Sequence, residues 1–171
     1  MSGRLAIMPK SYSATLQKLC IMGTRWMMTE RLAVRALLEA NWSPDRRVDI
    51  VEDLNAFRID GFPVFPVVVD FLQRYSGIVI HFDRAGYRDV LSFSGKGAGG
   101  AIEADRVEIY SRRAGVLLAP VGEAYGGHLI LMIGEDGSWY GGYDNEFGSL
   151  GGNFLDALEN LILVEGFVQR L

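Results

Sequence analysis

The sequence predicts an α+β fold: a mostly antiparallel β-sheet meander packed by N-terminal, central and C-terminal helices. Three observations predict it. Residues 115–163 alternate short apolar runs with turn residues and end in an amphipathic stretch, the pattern of hairpin-linked strands followed by a helix. Within that run, Asp136-Gly137 is a hairpin signal, because it supplies the positive backbone torsions that match strand twist. Upstream, residues 29–75 carry helical spacing broken by proline and glycine.

The elements follow in order. Thr29 caps a helix running to about Asn41, with Leu32, Leu37 and Leu38 on one face. Asn41-Trp42-Ser43-Pro44 ends it, since the residue before proline avoids helical angles, and Trp42 is expected to fold back onto it as a core aromatic. A second helix spans Val51–Ile59 with Leu54 and Phe57 inward, and Gly61 terminates it. A third starts near Pro66, carries Val69, Leu72 and Gln73, and ends near Tyr75-Ser76-Gly77. Ile78–Phe82 and Asp89–Phe93 read as strands. The glycine-rich segment Gly95–Gly100 is expected to be a flexible loop, and Glu103–Arg113 a helix with Val107 and Tyr110 on one face. The meander comprises Val116–Ala119, Leu129–Ile133, Ser138–Tyr143 and Phe147–Leu150, and the closing helix runs from Asn153 to Val164.

A chain of 171 residues suits one domain able to bury a real core. At 49% hydrophobic and 22% charged it has a globular composition. The charge is uneven. The first 26 residues hold Arg4, Lys10, Lys18 and Arg25 and no acid, which leaves −8 on the remainder of a chain whose total is −4. This break separates a basic tail, residues 1–26, expected to be disordered or to lie outside the domain, from a single domain over residues 27–171. The acidic balance argues against direct contact with nucleic acid. The apolar stretches of the tail, Leu5–Met8 and Leu19–Met22, are shorter than the about 7–15 residues of a signal-peptide core. With no apolar run of about 18 residues, no membrane partner and a cytoplasmic location are expected. Cys20 stands alone, so it forms neither an internal disulfide nor a cysteine-based zinc site.

Candidate chemistry is sparse. Gly95-Lys96-Gly97-Ala98-Gly99-Gly100 matches the G-x-G-x-x-G pattern between a strand and a helix, with Glu123 about twenty residues on. Against a dinucleotide site, Glu103 and Asp105 place negative charge early in the next helix, and the downstream pattern is antiparallel. His81 and His128 lack metal-ligand spacing. No Gly-x-Ser-x-Gly elbow is present. Neither catalytic residues nor a cofactor nor a metal is therefore assigned. What remains is a rim of acids and aromatics around the meander. Glu123, Tyr125, Glu135, Asp136, Trp139, Asp144 and Glu146 are the candidate partner-binding residues, because acidic edges steer basic partners and exposed Trp and Tyr anchor interfaces.

An ordered set of short motifs resembles the SUKH superfamily of immunity proteins, most closely its third group. Trp42-Ser43-Pro44-Asp45-Arg46-Arg47-Val48 is similar to that group's W-x-P-x-R-x-V, and Gly61-Phe62 with Val67–Leu72 to its following helix. Gly77-Ile78, Arg106–Gly115, Pro120-Val121-Gly122-Glu123, Asp136-Gly137 with Tyr140, and Leu150-Gly151 with Ala157-Leu158 continue the likeness. Where the group has a Phe-Asp-Pro-like step, the chain either departs from it with Phe93-Ser94-Gly95-Lys96 or meets it earlier, at His81-Phe82-Asp83. The resemblance implies a SUKH-like α+β domain without enzymatic activity. It would bind and neutralise a cognate bacterial polymorphic toxin, of nuclease or deaminase class, by occlusion, the partner being a basic toxin domain. The alternatives are a nucleotide-binding enzyme using Gly95–Gly100, or a regulatory scaffold of the same fold. The sequence does not disclose the oligomeric state.

Overall fold

The computed structural model describes residues 31–84, 86–163 and 166–171; the basic tail and the Thr29 cap lie outside them. Three helices come first: α1 (Leu32–Glu39), α2 (Val51–Asp60) and α3 (Pro66–Tyr75). The hairpin β1 (Val79–Arg84) and β2 (Tyr87–Phe93) leads into α4 (Gly95–Gly100) and α5 (Ala104–Ala114). Then come β3 (Leu118–Ala124), β4 (Leu129–Gly134), β5 (Trp139–Tyr143), β6 (Glu146–Gly151), α6 (Phe154–Leu163) and β7 (Gln169–Arg170). The seven strands pair antiparallel in sequence order, so the expected meander is present and takes in β1, β2 and β7 as well.

The helix boundaries have local causes. Gly61, at φ +80°, closes α2 through its N–H to the Phe57 carbonyl, and Gly115, at φ +75°, closes α5 in the same way on Ser111. Pro66 opens α3, where a missing N–H costs nothing. Asn153 caps α6 by accepting from the Asp156 N–H at 3.1 Å.

Residues paired across the sheet share a face, and successive residues alternate. Leu131, Ile133 and Trp139 therefore point one way with Phe93, and Met132, Tyr140 and Phe147 point the other. The first face meets α3 and α6. Phe71 packs edge-on against Phe93 at 5.3 Å and Trp139 at 4.9 Å, and Phe154 joins them from α6. The second face meets α5, whose Tyr110 stacks on Phe147 at 4.6 Å. With helices on both sides, every residue of β4 is buried. This explains why Leu129–Ile133 reads as a continuous apolar run and not as an alternation.

Four expectations change. Gly95–Gly100 is a short helix, not a flexible loop: the Ser94 hydroxyl accepts from the Gly97 N–H at 3.0 Å, and Gly95, Ala98 and Gly99 are buried. A side chain at Gly95 would come within 2.9 Å of the Phe57 ring, so these glycines serve close packing against α2. The strand expected over Val116–Ala119 runs instead from Leu118 to Ala124, so Pro120-Val121-Gly122-Glu123 lies inside β3, where the register shifts between Pro120 and Gly122. Trp42 does return to its own helix, its backbone N–H bonding to the Leu37 carbonyl at 3.0 Å, but its ring reaches further and stacks on Tyr75 of α3 at 5.6 Å. On α3 the buried residues are Val68, Phe71 and Leu72, with Val69 only partly covered.

Candidate partner-binding surface

The meander sorts its turns. Tyr125–His128, between β3 and β4, and Asp144–Asn145, between β5 and β6, fall at one end of the sheet; Glu135–Ser138, between β4 and β5, falls at the other. The candidate residues thus divide. Glu123, Tyr125, Asp144 and Glu146 gather at the first end, whereas Glu135 and Asp136 stand at the opposite one. Trp139 offers no surface to a partner: it is 2% exposed and packed between Phe71 and Phe154. An aromatic within an alternating strand belongs to whichever face it points to, and that face is the core.

At the hairpin end the acids are used locally. Asp136 accepts from the Ser138 N–H at 3.0 Å and from its hydroxyl at 3.1 Å, which shapes the turn around Gly137 at φ +85°. Glu135 accepts from the Leu117 N–H at 3.5 Å. At the other end, Tyr125 takes φ +58° and donates its hydroxyl to the Leu161 carbonyl at 2.9 Å, tying the turn to α6. Glu146 is ion-paired with Arg170 of β7. Asp144, at φ +48°, gives its backbone carbonyl to the Tyr110 hydroxyl at 2.8 Å and leaves its carboxylate exposed. Gly142 makes that bond possible, because a Cβ there would lie 2.5 Å from the Tyr110 ring.

Two depressions flank this end. One, of about 730 Å³, runs between the start of α5 and the two turns; the other, of about 590 Å³, opens toward α6 and β7. They share His128, Tyr143 and Asp144. Glu103, Asp105, Ile102 and Ile109 line the first. From the sequence, Glu103 and Asp105 bear only on a pyrophosphate. That the β3–β4 and β5–β6 turns share an end follows from the strand order, since in a strictly ordered meander every second turn does.

The remaining motif residues build the scaffold. The Arg46 guanidinium donates to the Arg74 carbonyl at 2.8 Å and the Ser76 carbonyl at 2.7 Å, closing the C-terminus of α3. Gly122 is required where β2 and β3 meet, since a Cβ would lie 2.5 Å from the Ser92 carbonyl oxygen. The glycine-rich helix has no vacancy for a phosphate. Asp53, 6% exposed, accepts from the Lys96 N–H at 2.7 Å, the Ser76 hydroxyl at 2.8 Å and the Ser94 hydroxyl at 3.4 Å. This carboxylate already occupies the position an anion would take.

Burial pushes the Tyr75, Tyr110 and Tyr140 phenols above their ordinary range, and a hydrogen bond to Glu52 raises the Lys96 ammonium. His81 lies in β1 and His128 in the turn before β4, and among the described residues no three potential metal ligands cluster. No helix among the described residues is long and apolar enough to cross a membrane.

No curated protein and no solved structure shows a significant match to the chain. The profile of one family does match, SUKH-3 immunity protein, over residues 30–164. That span takes in everything from the approach to α1 through α6, including the Arg46 clamp, the Gly122 crossing and the Tyr110 tie. The chain belongs to the SUKH-3 immunity protein family.

Proposed function

We propose that the chain is a non-catalytic immunity protein. Its domain, residues 27–171, binds a cognate bacterial polymorphic toxin of nuclease or deaminase class in the cytoplasm and neutralises it by covering the toxin's working surface. The observation that carries this reading is the family match across residues 30–164. Its physical support is a domain rich in exposed acids, with its buried carboxylate, Asp53, committed to scaffold bonds. A standard protein–protein interface buries about 1,600 Å² in total, enough for tight occlusion when its central contacts are good. The net charge of −8 outside the first 26 residues favours a basic partner and fast, salt-sensitive association.

The test is co-expression with the toxin encoded beside it. The immunity protein should restore growth and co-purify with the toxin domain as a complex. Failure to restore growth, together with failure to co-purify, would sink the reading.

A further inference from the structure

The first depression carries three carboxylates, Glu103, Asp105 and Asp144, against one guanidinium, Arg106. All three carboxylates are exposed, and none makes an ion pair or a side-chain hydrogen bond among the described residues. Arg106 is occupied, donating to Asn145 Oδ1 at 3.3 Å. Several carboxylates elsewhere are ion-paired: Asp70 with Arg74, Glu52 with Lys96, Glu108 with Arg112 and Glu146 with Arg170. Helix propensity explains Asp105, which sits in the first turn of α5. It does not explain Asp144, which belongs to a sheet turn. Nor does it explain Asp60, which borders the adjoining hollow with Glu103 and sits on the last residue of α2, the end where negative charge is disfavoured.

A second, independent observation lies across the Tyr143–Asp144 ridge. Asn160, 7% exposed, lines the neighbouring depression, and its Oδ1 has no hydrogen-bond partner while its Nδ2 donates to the Leu150 carbonyl at 3.2 Å. Buried acceptors are ordinarily satisfied. Both sides of the ridge thus want the same thing, a donor.

We propose that the toxin docks across this end of the sheet, presenting a lysine- or arginine-bearing segment to Glu103, Asp105 and Asp144. The long apolar stem of such a side chain lies on Ile102 and Ile109 while its charged head reaches the carboxylates. Tyr143, 45% exposed on the ridge, is the aromatic anchor between the two depressions. This inference rests on the immunity reading and assigns it a face.

Titration calorimetry of the full chain against the purified neighbouring toxin domain tests it, with Glu103→Lys, Asp144→Asn and Glu135→Lys as variants. All three residues are exposed, and melting curves confirm folding. Glu103→Lys should weaken binding about tenfold or more and flatten the salt dependence, Asp144→Asn should weaken it less, and Glu135→Lys should stay within about threefold of wild type. A wild-type chain that binds no toxin removes both readings. A wild-type chain that binds, with Glu103→Lys binding equally well, overturns this face and leaves the immunity reading standing.

Discussion

The two ends of the sheet are built from similar residues and differ in where their polar groups are committed. At the β4–β5 end, Asp136 bonds its own turn and Glu135 reaches the N–H of Leu117. At the end holding the β3–β4 and β5–β6 turns, two tyrosine hydroxyls do that work, Tyr110 donating to the Asp144 carbonyl and Tyr125 to the Leu161 carbonyl. The Asp144 carboxylate is left over. An acid engaged in its own turn is part of the scaffold; an acid left free beside a groove is available to another molecule. Composition cannot separate the two cases, but hydrogen bonding does.

The strongest way to break this contrast is to remove what holds the free end together. Tyr110 is fully buried, stacked on Phe147, seated over Gly142 and bonded to Asp144. Tyr110→Ala should cost about 3–5 kcal/mol of stability, the range for deleting a core aromatic, read as a lower urea midpoint. Because α5 carries Glu103 and Asp105 to the groove, toxin affinity should fall as well. A variant that loses stability yet binds as tightly as wild type would show that the groove does not depend on this seat. Asp53→Ala should follow at about 2–3 kcal/mol, since it strips a buried carboxylate from the Lys96 N–H and two hydroxyls. Its effect belongs to the α2–α4 contact, so affinity per folded molecule should not move.

Much of the fold was legible because the period of the apolar residues and the turn chemistry agreed. Gly61, Gly115, Pro66, Asn153 and Asp136-Gly137 mark the boundaries where the backbone turns. The failures share a physical cause, which is packing between elements distant in sequence. Gly95–Gly100 looks like a loop until Phe57 and Phe62 are seen to need its missing side chains. Trp42 finds Tyr75, thirty-three positions away, and no local pattern announces that pairing. Trp139 resembles an interface anchor because a sequence does not say that both faces of β5 are covered. Of the candidate surface, the residue types were legible and their placement was not: Tyr125, Asp144 and Glu146 stand a sheet length from Glu135 and Asp136.

A smaller effect sharpens the contrast from the opposite side. Asp136→Ala removes two turn bonds at the β4–β5 end and should cost about 1 kcal/mol, measured by thermal or urea unfolding. Toxin affinity should be unchanged. A loss of affinity without a loss of stability would put the partner at the hairpin end and reverse the comparison.

The smallest expected effect is an alkaline one, and it isolates the Tyr110 hydroxyl. Burial is the main cause that raises this phenol; Arg106 and Arg113 pull it back, and Asp144 adds to the rise. A group whose folded pKa lies above its unfolded value gives stability that is complete below the unfolded pKa. For a phenol that value is about 10. Above it the unfolded chain ionises first, so stability declines with rising pH until the folded phenol ionises as well. Wild-type stability should therefore hold up to about pH 10 and fall beyond it. Tyr110→Phe should fall less steeply in that window, the remaining slope coming from Tyr75 and Tyr140, which burial also raises, and from Lys96, raised by its hydrogen bond to Glu52. At neutral pH the same variant should lose about 1 kcal/mol, the worth of one hydrogen bond. Equal alkaline slopes for the two proteins would mean that the hydroxyl is not held in the fold. The bond to Asp144 would then not be what fixes the free end of the sheet.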